Sequence, residues 1–278
     1  MTVNINSTLL VSDLDGTLLN SSQNISLENK EAIARFQAEG GKFTIATGRM
    51  KEAALPYAKE LNVNIPIILY NGAVVYDHIN NKNILFKTLN NPEELLSIIH
   101  PLIKTNNLGL MMYDESNVYA LNRNNIVENY EAKEKIKCNN FSHDVFKNSI
   151  LKFLFISNDI TLLESIKKKI QLSNYPCELI YSETNYLEVI PADTSKGIAL
   201  SNLIINKGWE SMSKICVGDN HNDLSLLIAA DYAFYVENAV EEIKRKEFKT
   251  CNHHEQHAIK DIIDSFIFPN VSGFNCIE

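Results

Sequence analysis

The alternation of apolar runs and helix-like segments over the first eighty residues restricts the fold more than any other feature of this chain. Apolar runs at 9–11, 42–46 and 66–75 are separated by two stretches, 26–41 and 50–62, in which apolar residues recur at helical spacing. Strands that alternate with helices at these intervals need right-handed crossovers, and they form a parallel sheet with helices on its faces. The sequence therefore predicts an α/β fold.

Individual residues mark the ends of the two predicted helices. Ser26 is a suitable N-cap for the first helix, and Gly40 with Gly41 ends it. Pro56 lies within the second helix, where proline is tolerable only near the first turn. We therefore predict a helix over residues 50–62 with Pro56 near its first turn.

The middle of the chain follows a different pattern. Between about residues 83 and 188, strand-like segments follow one another, as in an antiparallel sheet with helices on one side. The α/β pattern then resumes with a helix from Ser195 and a strand at 213–220. We interpret residues 1–82 and 189–278 as one α/β core and residues 83–188 as an inserted α+β domain.

Composition and charge exclude several kinds of function. The chain has 278 residues, of which 45% are hydrophobic and 22% charged, a balance typical of a globular protein with a sizeable core. A net charge of -8 and the lack of a basic block argue against nucleic acid or an anionic membrane as partner. The N-terminus lacks a secretory signal pattern, and the five cysteines are widely spaced without a CxxC pair. We expect a cytoplasmic protein with reduced thiols.

Two carboxylates follow the first apolar run at a spacing that brings them together. Asp13 and Asp15 come directly after the predicted strand at 9–11, and alternate side chains of a strand share a face. Like charges at this distance repel unless a proton is shared between them, with a raised pKa, or a cation is bound. Carboxylate oxygens are hard ligands that suit Mg²⁺.

Four polar clusters follow predicted strands, so all four are expected to lie at the same edge of the sheet. Ligands of an open parallel sheet bind beyond the carboxyl ends of its strands. A helix that begins at Lys196 adds an amine to the carboxylates and hydroxyl of these clusters. Such a set can bind Mg²⁺ and a phosphate together, so the sequence indicates phosphoryl transfer. The clusters are Asp13 to Thr17, Thr47-Gly48-Arg49, Asn71-Gly72 and Gly218 to Asp223.

The residue types allow a mechanism to be written. Asp13 would attack phosphorus in line and form an aspartyl phosphate. Asp15 would protonate the leaving alkoxide and then deprotonate the attacking water. Mg²⁺ would screen Asp13 from the incoming phosphate, so removal of the metal is expected to abolish turnover.

These clusters together resemble the motifs of the haloacid dehalogenase superfamily, specifically the Cof-type phosphatases of subclass IIB. The resemblance is carried by Asp-Leu-Asp-Gly-Thr at 13–17, Thr47-Gly48-Arg49, Asn71-Gly72-Ala73, Ser195-Lys196-Gly197 and Gly-Asp-Asn-His-Asn-Asp at 218–223. It spans residues 9 to about 240 and keeps the order of the motifs. It implies a Rossmann-like core with a parallel sheet and a large α+β cap of the C2 type, inserted where the pattern places the insert.

The resemblance also implies roles for single residues. Asp13 is similar to the nucleophile and Mg²⁺ ligand of the family, and Asp15 to the acid/base that also gives its backbone carbonyl to the metal. Asp219 resembles the third protein ligand, and Asp223 supports the metal site from nearby. The phosphate contacts that it implies are the backbone of Leu14, Thr47 with Gly48, Lys196 and Asn222.

The leading interpretation is an Mg²⁺-dependent phosphatase of a small phosphorylated metabolite, such as a sugar phosphate, a nucleotide or a cofactor phosphate. One alternative is a phosphomutase, which passes the phosphoryl group to another hydroxyl. The other is a non-enzymatic sensor, in which a long-lived phospho-aspartate switches conformation. The sequence leaves open the substrate, the cap residues that select it, the oligomeric state and the roles of Arg49 and the C-terminal tail.

Overall fold

The computed structural model describes residues 4–103 and 106–269. In chain order its strands are β1 (Thr8–Ser12), β2 (Lys42–Ile45), β3 (Ile67–Leu69), β4 (Val74–Asp77), β5 (Lys82–Phe86), β6 (Gly109–Tyr113), β7 (Val118–Ala120), β8 (Asn139–Asn140), β9 (Lys152–Ile156), β10 (Cys177–Glu183), β11 (Tyr186–Pro191), β12 (Ser213–Gly218), β13 (Tyr232–Val236) and β14 (Lys249–Cys251). Its α-helices are α1 (Leu27–Ala38), α2 (Lys51–Glu60), α3 (Pro92–Ile99), α4 (Asn125–Glu134), α5 (Ile160–Leu172), α6 (Lys196–Lys207), α7 (Leu224–Ile228), α8 (Glu241–Lys244) and α9 (Ala258–Asp261).

The predicted parallel sheet is present. Its strand order is β14-β13-β12-β1-β2, and every pair in it is parallel. β1 lies between β12 and β2, so Leu9, Leu10 and Val11 are completely buried, which explains the uninterrupted apolar run. Ser26 caps α1 as predicted, because its side chain accepts a hydrogen bond from the backbone N–H of Asn29. The α/β fold class is therefore confirmed, and β14 is an edge strand that the sequence did not predict.

The third predicted strand, at 66–75, is wrong as a single element. After β3, residues Tyr70, Asn71 and Gly72 have positive φ angles of 52°, 54° and 101°, and β4 then runs antiparallel to β3. Successive residues in the left-handed region reverse the chain, which an extended strand cannot do. The reversal places Asn71 in a turn at the end of β3 instead of within a strand.

Pro56 lies deeper in α2 than predicted. The helix begins at Lys51, so Pro56 is in its second turn. Proline has no N–H to donate to the carbonyl four residues earlier, that of Glu52. Both residues are exposed, so water can bond to this carbonyl and the helix continues past the proline.

The second large sheet has the order β10-β11-β9-β6-β7-β8 and is antiparallel apart from the parallel pair β7 and β8. α3 and α5 pack on one of its faces, where Leu95 and Ile166 join a cluster with Phe153. α4, which was not predicted, packs on the opposite face, where Tyr130 forms a hydrogen bond with Tyr113 of β6. The expectation of helices on one side was therefore wrong for α4.

The connections between the two large sheets run through β5 and β11. β5 pairs with β4, whereas β11 pairs with β9. The predicted boundaries at 83 and 188 lie within these two strands, and the division into a core at 1–82 and 189–278 and an insert at 83–188 stays a prediction.

The C-terminal segment packs on the parallel sheet as far as it is described. Phe266 contacts Tyr232 and Phe234 of β13 edge to face, at centroid distances of 4.9 and 5.2 Å. Phe274 and Cys276 lie outside the described residues. Among the helices of residues 4–103 and 106–269, none is long and apolar enough to cross a membrane.

Candidate active site

Two neighbouring strands of the parallel sheet end in aspartates. Asp13 follows β1 and Asp219 follows β12, and the strands pair in register, so the two residues meet at the same edge. Thr17 donates a hydrogen bond from its hydroxyl to Asp219 Oδ1 at 3.2 Å. Gly16 turns the chain between Asp13 and Thr17 with φ 74°. A Cβ at this position would lie 2.5 Å from Asp219 Oδ2. Only glycine allows this approach.

Three carboxylates and one ammonium form the centre of the site, which we call the aspartate cluster. Oxygens of Asp13, Asp219 and Asp223 lie within 4.8 Å of one another. Lys196, the first residue of α6, places its Nζ 2.6 Å from Asp13 Oδ1 and 2.6 Å from Asp223 Oδ1. When all four groups are ionised, the cluster carries a charge of minus two, which a divalent cation would balance.

The pKa values of the cluster reflect this excess of negative charge. Burial, then the charge of Asp223, raises the pKa of Asp13 to about 8, although Lys196 acts in the opposite direction. Burial and the charges of Asp223 and Asp13 also raise the pKa of Asp219 well above its usual value. Burial disfavours the charge of Lys196, but Asp13 and Asp223 outweigh it and raise the pKa of this lysine.

The donor set of the cluster fits a hard divalent cation. Asp223 is fully engaged by the protein, because its Oδ2 accepts hydrogen bonds from the backbone N–H groups of Asp219 and Asn220, both at 3.0 Å. Asp13 and Asp219 each use Oδ1 for a hydrogen bond. The Oδ2 of each is the oxygen offered to a cation, and carboxylate oxygens are what Mg²⁺ prefers.

The raised pKa values predict how pH affects the metal-free protein. The pKa of Asp13 is above its usual 3.8, so the stabilising contribution of its protonated form is complete below about pH 4 and is lost as the pH rises through about 8. Asp219 acts in the same direction. In chelator, the melting temperature is expected to fall between about pH 5 and about pH 8, and Mg²⁺ should remove most of this fall. An equally steep fall in Asp13→Asn would contradict the assignment to Asp13.

Asp15 points away from the cluster and pairs with Arg49. The guanidinium donates from Nε to Asp15 Oδ2 and from Nη2 to Asp15 Oδ1, both at 2.7 Å, in a bidentate ion pair. Arg49 Nη1 also lies 3.8 Å from Oε2 of Glu134, the last residue of α4. Arg49 therefore pairs with Asp15, which answers the question about Arg49 that the sequence left open.

A cavity of about 310 Å³ opens above the cluster, between the parallel sheet and the second large sheet. Asp13, Asp15 and Asp219 line it, together with most of the predicted phosphate contacts, which are Thr47, Gly48 and Asn222. Leu14 and Lys196 have completely buried side chains, and Lys196 reaches the site through its bond to Asp13.

The cavity has further walls that sequence reasoning missed. Lys152, Glu188, Glu134 and Tyr186 come from the second sheet and α4, and His254 comes from the C-terminal segment. Two of them carried a signal in the sequence: Lys152 and Glu188 are charged residues within the apolar strands β9 and β11. Such strands bury charge only when it is paired, which marks both residues as unusual.

The fold and site define a capped α/β enzyme whose acidic centre lies at the carboxyl ends of parallel strands. A family profile described as haloacid dehalogenase-like hydrolase matches residues 10–263. The chain belongs to this family. The predicted family and the predicted enzyme class, a phosphatase, are therefore confirmed.

Relatives of known name cover nearly the whole chain. The 5-amino-6-(5-phospho-D-ribitylamino)uracil phosphatase YwtE of Bacillus subtilis is 27% identical over 281 residues, which cover 92% of this chain and 96% of that protein. The pyridoxal phosphate phosphatase YbhA of Escherichia coli is 26% identical over 245 residues, which cover 84% and 89%. A solved haloacid dehalogenase-like hydrolase from Bacteroides thetaiotaomicron matches with a TM-score of 0.78 and 26% identity, and covers 93% of this chain and 98% of that one.

Proposed function

We propose that this enzyme hydrolyses a small phosphorylated metabolite with Mg²⁺, through an aspartyl phosphate on Asp13. The observation that carries the proposal is the aspartate cluster, in which Lys196 holds one oxygen of Asp13 at 2.6 Å beneath a cavity lined by Thr47, Gly48 and Asn222. A carboxylate held in this way is oriented for attack, and donors surround the place where a phosphate would lie.

The metal would be held by the carboxylates of Asp13 and Asp219 and by the backbone carbonyl of Asp15, with Asp223 fixing the loop around Asp219. When bound, Mg²⁺ neutralises negative charge on the phosphate and on Asp13, which lowers the repulsion between them. The minus-two charge of the aspartate cluster supports a divalent cation.

The protein groups then carry two displacements. Asp13 attacks phosphorus, the P–O bond of the ester breaks, and the leaving alkoxide takes a proton from Asp15. Water attacks the phosphorus of the aspartyl phosphate, Asp15 takes a proton from it, and inorganic phosphate leaves with the Asp13 carboxylate restored. Arg49 is a positioning residue, because its bidentate bonds fix the direction of the Asp15 carboxylate. Both oxygens of Asp15 accept from the guanidinium in this structure, so one of these bonds must break before Asp15 can carry the proton for the alkoxide.

The substrate class follows from the size of the cavity and from the relatives. About 310 Å³ is in the range of sites for small molecules, and residues between 113 and 188 contribute much of the lining. YwtE and YbhA are named for small phosphorylated compounds. We accordingly propose sugar phosphates, nucleotides or cofactor phosphates as substrates, residues 83–188 as the cap that selects them, and a cytoplasmic location.

The test is phosphate release from a panel of these metabolites and from a generic aryl phosphate, with Mg²⁺ or with chelator. Release from at least one compound that falls about 10³-fold or more in chelator is the expected result. Restoration by Mg²⁺ is the control for irreversible damage by the chelator. Release that survives chelation would contradict the role of the metal, and silence across the whole panel would contradict the phosphatase and favour the mutase or sensor.

A further inference from the structure

A buried ion pair of the second large sheet bonds to two loops outside that sheet, one after β2 and one after β3. Lys152 on β9 and Glu188 on β11 lie 3.1 Å apart, and each side chain is 4% exposed. Lys152 Nζ also donates to the backbone carbonyl of Gly48 at 3.1 Å. Glu188 Oε2 also accepts a hydrogen bond from Asn71 Nδ2 at 2.9 Å. The pair therefore joins the proposed cap to the loop of Gly48, which the proposed function assigns to phosphate, and to the turn that contains Asn71.

A hydrogen-bonded chain continues from Glu188 into the phosphate site. Asn71 accepts a hydrogen bond at its Oδ1 from Asn222 Nδ2, at 3.0 Å. The Asn71 amide has little room to move, because a Cβ on Gly48 would meet both of its polar atoms at 3.0 Å. Glu188, Asn71 and Asn222 thus form a continuous series, which we call the amide relay.

The carboxylate at the start of the amide relay sets the direction of every bond in it. A carboxylate accepts hydrogen bonds and does not donate them, so Asn71 must turn its NH₂ group toward Glu188. Its oxygen then faces Asn222, which must turn its own NH₂ group toward Asn71.

This direction leaves one polar atom of Asn222 without a partner. Its Oδ1 is buried and has no hydrogen bond within the described part of the chain. The residue lines the cavity and its oxygen is buried, so we infer that the nitrogen, which keeps a second N–H, is the polar atom that faces the cavity. If the amides of Asn71 and Asn222 both turned by 180°, the oxygen of Asn222 would accept a hydrogen bond from Asn71. The nitrogen of Asn222 would then no longer face the cavity. Glu188 prevents this rotation.

We propose that Glu188 is a positioning residue that keeps the Asn222 amide nitrogen directed at the substrate phosphate, and that this couples the seating of the cap to phosphate binding. The inference rests on the proposed function, which gives Asn222 a phosphate to bind. Because Glu188 lies on β11, the orientation of Asn222 is fixed only while the second large sheet lies against the Asn71 turn.

The test measures the dissociation constant of inorganic phosphate in the presence of Mg²⁺, from the rise of melting temperature with phosphate concentration. The main variant combines Glu188→Leu with Lys152→Met, because removal of both charges avoids leaving one of them buried and unpaired. We expect the dissociation constant to rise about tenfold, as for loss of one hydrogen bond to a charged group. In an Asn222→Ala background the same pair of substitutions should cause no further rise.

Two further variants separate positioning from a general structural effect. Glu188→Gln, combined with Lys152→Met, can still accept from Asn71 while its NH₂ group faces the hydroxyl of Ser182, which now donates to Glu188 Oε1 at 2.8 Å. It should bind phosphate within about threefold of the natural protein. Glu115→Gln removes a contact between α2 and the loop from β6 to β7, the ion pair with Lys51 at 3.4 Å, and should leave phosphate binding unchanged.

An unchanged dissociation constant in the double variant, or an equal rise with and without Asn222, would overturn the inference. If the double variant does not fold, Asn71→Leu interrupts the same relay and carries the same expectation. A natural protein that hydrolyses no aryl phosphate and binds no inorganic phosphate would instead refute the proposed function itself.

Discussion

Asp13→Asn is expected to lower kcat for phosphate release by about 10⁴-fold or more, the scale of effect found when a catalytic nucleophile is removed. The amide of asparagine is a poor nucleophile at phosphorus, so the first displacement should fail. The variant should nevertheless fold, because Asp13 is a buried carboxylate whose charge is disfavoured by burial and by Asp223. In chelator near pH 8, its melting temperature should equal or exceed that of the natural protein.

The matched control for this prediction is Asp144→Asn, which removes a charge from an exposed ion pair with Lys147. It should leave kcat unchanged, because exposed pairs contribute little and this one lies outside the cavity lining. If Asp13→Asn kept a tenth or more of the natural rate, Asp13 would not be the nucleophile.

Lys196→Met is expected to have the largest effect on stability. Lys196 is completely buried between Asp13 and Asp223, so its loss leaves two buried carboxylates without their cation. Breaking one side of a buried ion pair costs about 3–5 kcal/mol of unfolding free energy. Denaturant titration in chelator would measure this loss, which should grow as the pH rises toward 8 and Asp13 ionises. Activity should fall as well, because Asp13 loses the group that orients it.

Lys207→Met provides the comparison for Lys196. Lys207 pairs with Asp77 at 3.3 Å, and its own side chain is 28% exposed. Asp77 is itself buried, but it keeps hydrogen bonds from the backbone N–H and the side-chain Nδ2 of Asn80 at 3.1 and 3.0 Å, so the loss of unfolding free energy should be smaller, about 1 kcal/mol. Similar losses for the two lysines would contradict the view that the aspartate cluster depends on one buried ammonium.

The strand-end residues were predictable because parallel strands bring their carboxyl ends to one edge. Asp13 and Asp219 are far apart in the sequence, yet once a parallel sheet is inferred their meeting requires only the order of the strands. Regular backbone hydrogen bonding fixes this part of the geometry, so periodicity and spacing were sufficient. The individual roles of these residues stay predictions.

Residues that depend on the contact between the two large sheets were not predictable in the same way. Glu188 and Lys152 reach Asn71 and Gly48 only because the second sheet lies over the turn after β3. Periodicity in the sequence predicts where the strands are. It does not predict which loops of one sheet the other sheet will contact. The turn was itself missed, since Tyr70 adopts a positive φ that its residue type disfavours. Tertiary contacts decide both features.

The most direct test of the account is the mass of the peptide that contains Asp13, after Asp15→Asn protein is mixed with the aryl phosphate and Mg²⁺ and quenched in acid. An aryl oxide leaves without a proton from an acid, so the first displacement continues in this variant. Without Asp15 to activate water, the aspartyl phosphate should accumulate, and the peptide should gain the mass of one phosphoryl group. The same peptide from the Asp13→Asn protein should gain nothing. Phosphate release without any phosphorylated peptide, at times when turnover is under way, would contradict covalent catalysis by Asp13.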